Sequence, residues 1–119
     1  MDETLGGYFR AMQRGPEGED ELVALFADDA VYVEPFSGGR HVGREAIRSW
    51  LRASWEHQPP GIRLTVERVE VVEDTVEATW TCESEAFAQP VRGRDRFKIR
   101  HGRIARLESE LLTPPQRRG

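Results

Sequence analysis

Residues 91–100 read Val91-Arg92-Gly93-Arg94-Asp95-Arg96-Phe97-Lys98-Ile99-Arg100, and their alternation decides the fold. Successive strand side chains point to opposite faces, so Val91, Gly93, Asp95, Phe97 and Ile99 share one side while the basic residues line the other. Such a strand needs partners, and its flanks supply them. Upstream, Ile62, Leu64 and Val66 alternate with polar residues, after which the apolar phase slips to Val69 and Val71. The slip predicts a β-bulge near Glu67-Arg68 and a bend in that strand. Glu73-Asp74 reads as a turn, and Val76, Ala78, Trp80, Cys82 and Ser84 share a face of the next strand. Downstream of residue 100, His101-Gly102 turns the chain into a last strand with Ala105, Leu107, Ser109 and Leu111 on one side.

Before Ile62 the period is that of a helix. Leu5, Tyr8, Phe9 and Met12 form one stripe, closed by Gly15-Pro16. Leu22, Leu25 and Phe26 form a second behind an acidic first turn, and Ile47, Trp50, Leu51 and Ser54 a third, stopped by Pro59-Pro60-Gly61. Val31 to Glu34 alternate as a short strand ended by Pro35 and Ser37-Gly38-Gly39. The expected class is α+β: three N-terminal helices on a curved, mostly antiparallel sheet, a cone-shaped fold with a pocket between the layers.

The chain has 119 residues, with 17 Lys+Arg against 21 Asp+Glu and 38% hydrophobic residues. One domain over residues 1–119 is expected, with a core over about 5–112 and a disordered tail at 113–119. The apolar runs are too short for a membrane span, so no membrane partner is expected. A single cysteine, Cys82, excludes an intrachain disulfide and suits a reducing cytoplasm. Net acidity, with no basic tail beyond Arg117 and Arg118, argues against a nucleic-acid partner. The basic row from Arg92 to Arg100 resembles a phosphate stripe, but Glu77, Glu83, Glu108 and Glu110 on neighbouring strands offer cross-strand pairs that explain it without a ligand.

Three polar residues break the apolar pattern. Asp95 shares the inward face with Phe97, where a carboxylate is costly unless paired or protonated; the alternative is an ordinary pair with an arginine or a backbone amide. Glu34 shares parity with Tyr32 and Phe36, the alternative being an exposed strand-end carboxylate. Tyr8 lies on the first apolar stripe, where an ordinary core hydrogen bond would equally satisfy its hydroxyl. His41, His57 and His101 fall in a loop, a helix end and a turn without metal-ligand spacing, so no metal site is expected. Cys82 beside Trp80 reads as a small buried hydrophobe. Met12, Tyr32, Phe36, Trp50, Trp80, Cys82, Phe97 and Leu111 are the expected pocket lining.

The runs Tyr8 to Met12, Leu22 to Ala30, Glu34-Pro35, Gly43 to Ile47, Asp95 to Phe97 and Gly102 to Ile104 resemble the nuclear transport factor two superfamily. Within it the resemblance is to SnoaL-like polyketide cyclases and ketosteroid isomerases, over roughly residues 5 to 112. It implies a small hydrophobic carbonyl compound as ligand, no cofactor, and a homodimer through the outer sheet face. It also implies roles: Glu34 as the base beside a carbonyl, with Tyr8 and a protonated Asp95 holding the oxyanion, the logic by which such isomerases keep one carboxylic acid neutral. Two departures are visible, a Glu where the isomerases carry an Asp and Leu111 where they carry an aromatic. A non-catalytic binding domain of the same fold is the alternative. Epoxide hydrolysis is a third reading, which needs an arginine such as Arg63 or Arg92 between two carboxylates.

Overall fold

The computed structural model describes residues 3–59, 61–113 and 115–116. Helix α1 (Glu3–Arg14) runs through a 3-10 turn at Gly15–Gly18 into α2 (Glu19–Ala24). Gly15 takes φ +65, the left-handed conformation that lets the chain leave α1 at low cost. Strands β1 (Phe26–Val33) and β2 (Arg40–Val42) follow, then α3 (Arg44–Glu56), β3 (Arg63–Val72), β4 (Thr75–Glu83), β5 (Val91–Arg100) and β6 (Arg103–Leu111). The strands form one six-stranded sheet in the order β2-β1-β6-β5-β4-β3. All neighbours pair antiparallel except β1 with β6, which makes the sheet mixed. The α+β class holds, with α1 and α2 as one joined unit and α3 entered only after two strands.

The register of β3 against β4 shifts between Val66 and Arg68, where the slipped apolar phase predicts a bulge. Val69 and Val71 thereby stay opposite Ala78 and Val76, although both stand exposed at this end of the sheet. Helical faces and sheet meet in one core, in which Leu5, Leu22, Phe26, Ile47, Phe97, Ile104 and Leu107 are fully buried.

Two boundaries differ from the sequence reading. The second helical stripe ends at Ala24, and Phe26 opens β1 instead of closing a helix. An isolated six-residue helix has little stability of its own, and pairing with Ile104 of β6 takes Phe26 into the sheet. His41, expected in a loop, lies in β2, where pairing with Tyr32 orders a segment that has no strand pattern of its own. Beyond the last strand, Thr113 N–H donates to the Arg92 carbonyl and Ala88 N–H to the Gln116 carbonyl. Pro114, Arg117, Arg118 and Gly119, the rest of the expected tail, lie outside the described residues, as does Pro60.

The outer face carries the basic row of β5 as ion pairs. Arg94 reaches Glu110 at 2.5 Å, Arg96 reaches Glu77 at 3.2 Å, and Lys98 reaches Asp74 at 3.7 Å. Glu83 and Glu108 pair elsewhere, with Arg63 and Arg106. Among the described residues, no helix is long and apolar enough to cross a membrane.

Candidate functional site

Between the helices and the concave side of the sheet lies a half-open cavity of about 520 Å³ with mostly apolar walls. Tyr8 and Met12 reach it from α1, Tyr32 and Glu34 from the end of β1, and Trp50 from α3. Trp80 and Cys82 of β4, Asp95 of β5, and Ser109 and Leu111 of β6 line the sheet side, and Phe36 stands at the mouth. Ten of the eleven residues expected at the site therefore line one space. Phe97 is the exception: it is fully buried, and its ring packs edge-on against Tyr8 at 5.2 Å and Phe9 at 6.0 Å. Strand parity aims it inward as expected, but the α1 rings fill the space above it.

Asp95 is 3% exposed, and its Oδ1 accepts a hydrogen bond from Ser109 Oγ at 2.6 Å. Register explains the pairing, because Asp95 and Ser109 are direct cross-strand partners. Burial pushes the Asp95 carboxyl up to about 6, opposed in part by Ser109 and by the Trp80 indole N–H. That N–H lies near Asp95 yet is not aligned into a hydrogen bond, and it is the one buried side-chain donor without a partner among the described residues. Burial, followed by the charge of Asp95, raises Tyr8 well above the ordinary tyrosine value, and the same two causes hold Tyr32 protonated.

The indole of Trp80 rests on Gly93, its cross-strand partner: a Cβ built there would sit 2.1 Å from Trp80 Cζ2. Glycine at position 93 is thus the floor that lets an indole lie flat beside Asp95. A glycine on the inward face of a strand was the available signal for such a close approach. Ser109 was also missed; a small hydroxyl residue on an inward face carries no mark until register sets it opposite Asp95.

Glu34 is buried at 5% exposure, contrary to the exposed strand-end alternative. Its Oε1 accepts from Ser37 N at 2.6 Å, Ser37 Oγ at 3.0 Å, Gly38 N at 3.0 Å and Gly39 N at 3.4 Å. Its Oε2 accepts from Trp50 Nε1 at 3.1 Å. Burial alone would raise this carboxyl, but the donors from Ser37, Gly39 and Trp50 outweigh it and lower the pKa below the ordinary value. A carboxylate so fully hydrogen-bonded is a weak base.

Burial raises the Cys82 thiol, as suits an apolar wall residue rather than a nucleophile. No arginine lines the cavity among the described residues. Arg63 pairs with Glu83 and Arg92 lies 3.9 Å from Glu67, so neither stands between two cavity carboxylates, as the epoxide hydrolase reading needs. No three His, Cys, Asp or Glu side chains among the described residues converge in an arrangement that could hold a metal ion.

Comparison with known proteins adds a family to this geometry. The model of the SnoaL-like domain matches residues 5–107. A solved protein of Sinorhizobium meliloti, with an inferred role as a polyketide cyclase, is 28% identical with TM-score 0.77, covering 92% of this chain and 95% of that one. A protein of Kribbella flavida with an inferred role as a ketosteroid isomerase is 20% identical with TM-score 0.72, over 93% of this chain and 76% of that one. The epoxide hydrolase/cyclase-like enzyme SalBIII, which has a role in pyran ring formation in the polyether salinomycin, is 18% identical with TM-score 0.73, over 92% and 88%. No curated protein matches the chain. With the family model spanning both the helical layer and all but the end of the sheet, the chain belongs to the SnoaL-like domain family.

Proposed function

We propose that the cavity binds a small hydrophobic carbonyl compound and that Asp95 moves a proton on it. One observation carries the reading: a buried carboxyl at a cavity wall, fixed through one oxygen by Ser109, which burial pushes up to about 6. A general base poised near the working pH is the arrangement proton transfer favours. Asp95, ionised at neutral pH, takes a proton from the carbon beside the carbonyl. The electron pair passes to the carbonyl oxygen, and the Tyr8 hydroxyl, kept protonated by burial and by the charge of Asp95, donates to that oxygen. Return of the proton from Asp95 to a different carbon gives an isomer. Attack of the enolate carbon on a second carbonyl of the same molecule closes a ring, and the proton then ends on the new alkoxide.

In this mechanism Asp95 takes the base role that the family resemblance implies for Glu34, whose oxygens are already committed to the 35–39 loop and Trp50. The similarity to proteins named as cyclases and isomerases supports the reaction class. The test is exchange of the α-hydrogens of 2-tetralone in deuterium oxide, followed by NMR. Exchange above the buffer rate, rising with pH through about 6 to a plateau and absent in Asp95→Asn, is expected. Exchange that persists in the variant removes Asp95 from the reaction. No exchange with any enolisable bicyclic ketone, together with ligand-induced thermal stabilisation, reassigns the protein as a non-catalytic binding domain.

A further inference from the structure

The Trp80 indole N–H is sealed from water and has no aligned acceptor among the described residues. An unmet buried donor is costly, and each such group in a native interior needs a reason. A phenylalanine would supply an apolar wall without that cost. The placing of the ring points to the reason. Cross-strand pairing sets Trp80 over Gly93, and the ring atoms nearest the place a Cβ would take there are Cζ2, Cη2 and Cε2. Cε2 is bonded to the indole nitrogen, so the close approach lowers the N–H edge onto β5. The next residue of β5 on that face is Asp95. Asp95 has room to accept: an ionised carboxylate offers about four lone-pair sites, and Ser109 occupies one. With no side chain at residue 93 to block it, the ring can slide into alignment.

We propose that the Trp80 indole N–H is the second anchor of Asp95, closing onto its carboxylate when the proton leaves, and that Trp80 is thereby a positioning residue for the base. The use made of that carboxylate rests on the reading of Asp95 above, whereas the contact itself needs no ligand. A charged acceptor draws an N–H more strongly than a neutral acid does, which supplies the driving force. Two donors on one carboxylate fix its plane and leave lone pairs free to face the cavity. The titratable side chains around that cavity are Tyr8 from α1, Tyr32 from β1 with Glu34 just past its end, His57 after α3, and Cys82 from β4. Burial keeps both phenols and the thiol protonated, and its own donors keep Glu34 ionised at neutral pH.

The test follows two NMR signals of the whole chain from acid to mildly alkaline pH, the Trp80 indole N–H and the Asp95 carboxyl carbon, each assigned through its own side chain. The indole resonance is expected to move downfield with the same midpoint as the carboxyl, about 6, and to stop moving in Asp95→Asn, which also separates Asp95 from His57. Trp80→Phe should raise the carboxyl midpoint by at least about half a pH unit, because the charged form loses a donor. A ring that only fills space predicts the opposite sign, since the smaller phenylalanine lets water in and eases the burial. An indole resonance that stays still, or one that still titrates in Asp95→Asn, overturns the proposal. An unchanged or lowered carboxyl midpoint in Trp80→Phe does the same. Should Trp80→Phe not fold, the wild-type and Asp95→Asn titrations decide alone. A titrating indole in a protein that does not exchange the α-hydrogens of 2-tetralone keeps the anchor and removes the catalytic reading. Exchange alongside a silent indole keeps that reading and removes the anchor.

Discussion

Asp95 and Glu34 are carboxylates of low exposure at one cavity, Asp95 the deeper of the two, and their surroundings drive them in opposite directions. Asp95 has a single aligned donor, Ser109, so desolvation dominates and the group holds its proton up to about pH 6 against 3.8 when free. The folded state therefore binds more protons than the unfolded chain between these values. Stability falls as pH rises through that window and is low by about 2–3 kcal/mol above it. Asp95→Asn keeps the acceptor for Ser109 and removes the charge. It should be more stable than the wild type by up to about 2–3 kcal/mol at pH 8 and nearly equal to it at pH 4, as measured by urea denaturation across that range. Glu34 has the reverse sign, because its donors favour the charged form and its folded pKa lies below 4.5. Its contribution is complete above the unfolded value and lost as pH falls through the folded one. Glu34→Gln should cost about 2–4 kcal/mol at pH 7, the effect of leaving buried donors poorly matched, and the gap to the wild type should narrow in acid.

At the scale of elements, β4 and β5 form the site through register. Pairing Trp80 with Gly93 and Ala78 with Asp95 places a flat indole next to the titrating carboxyl. Gly93→Ala puts a methyl into the Trp80 ring, which must tilt into the cavity. The expected cost is about 1–3 kcal/mol from overpacking, with a shift in tryptophan emission and weaker binding of 2-tetralone. Asp95 and the β5 strand were legible from alternation alone, since period two assigns faces without any knowledge of neighbours. The partners that decide the chemistry of Asp95 were not, because Ser109 lies fourteen residues away and meets it only through the β5–β6 pairing. The surroundings of Glu34 were not legible for a related reason. Parity showed that it shares a side with Tyr32, but not that Ser37, Gly38 and Gly39 fold back to donate to one of its oxygens.

Across the whole molecule, the two faces of the sheet differ in kind. The inner face, with the helices, holds Phe97, Ile104 and Leu107 at zero exposure, while the outer face is a lattice of partly exposed ion pairs. Solvent screens the outer pairs, and Arg96, at 40% side-chain exposure, contacts both Glu77 and Glu110. Arg96→Ala should cost less than about 1 kcal/mol, and less still at 1 M salt, whereas its strand neighbour Phe97→Ala should cost about 3–5 kcal/mol. Guanidinium denaturation cannot make this comparison, because its own salt screens the pairs; urea denaturation at two ionic strengths can.

Sequence alone determined the α+β class, the bulge in β3, the inward aim of Asp95 and nearly all of the cavity wall. Each depends on local periodicity, which records which side of an element is sheltered from water. Tertiary structure decided what surrounds each polar residue. It made Asp95 a high-pKa group with one anchor and Glu34 a saturated, low-pKa latch, and it closed Phe97 off behind the rings of α1. Charge state and access depend on which distant groups arrive alongside, and chain spacing carries no record of that.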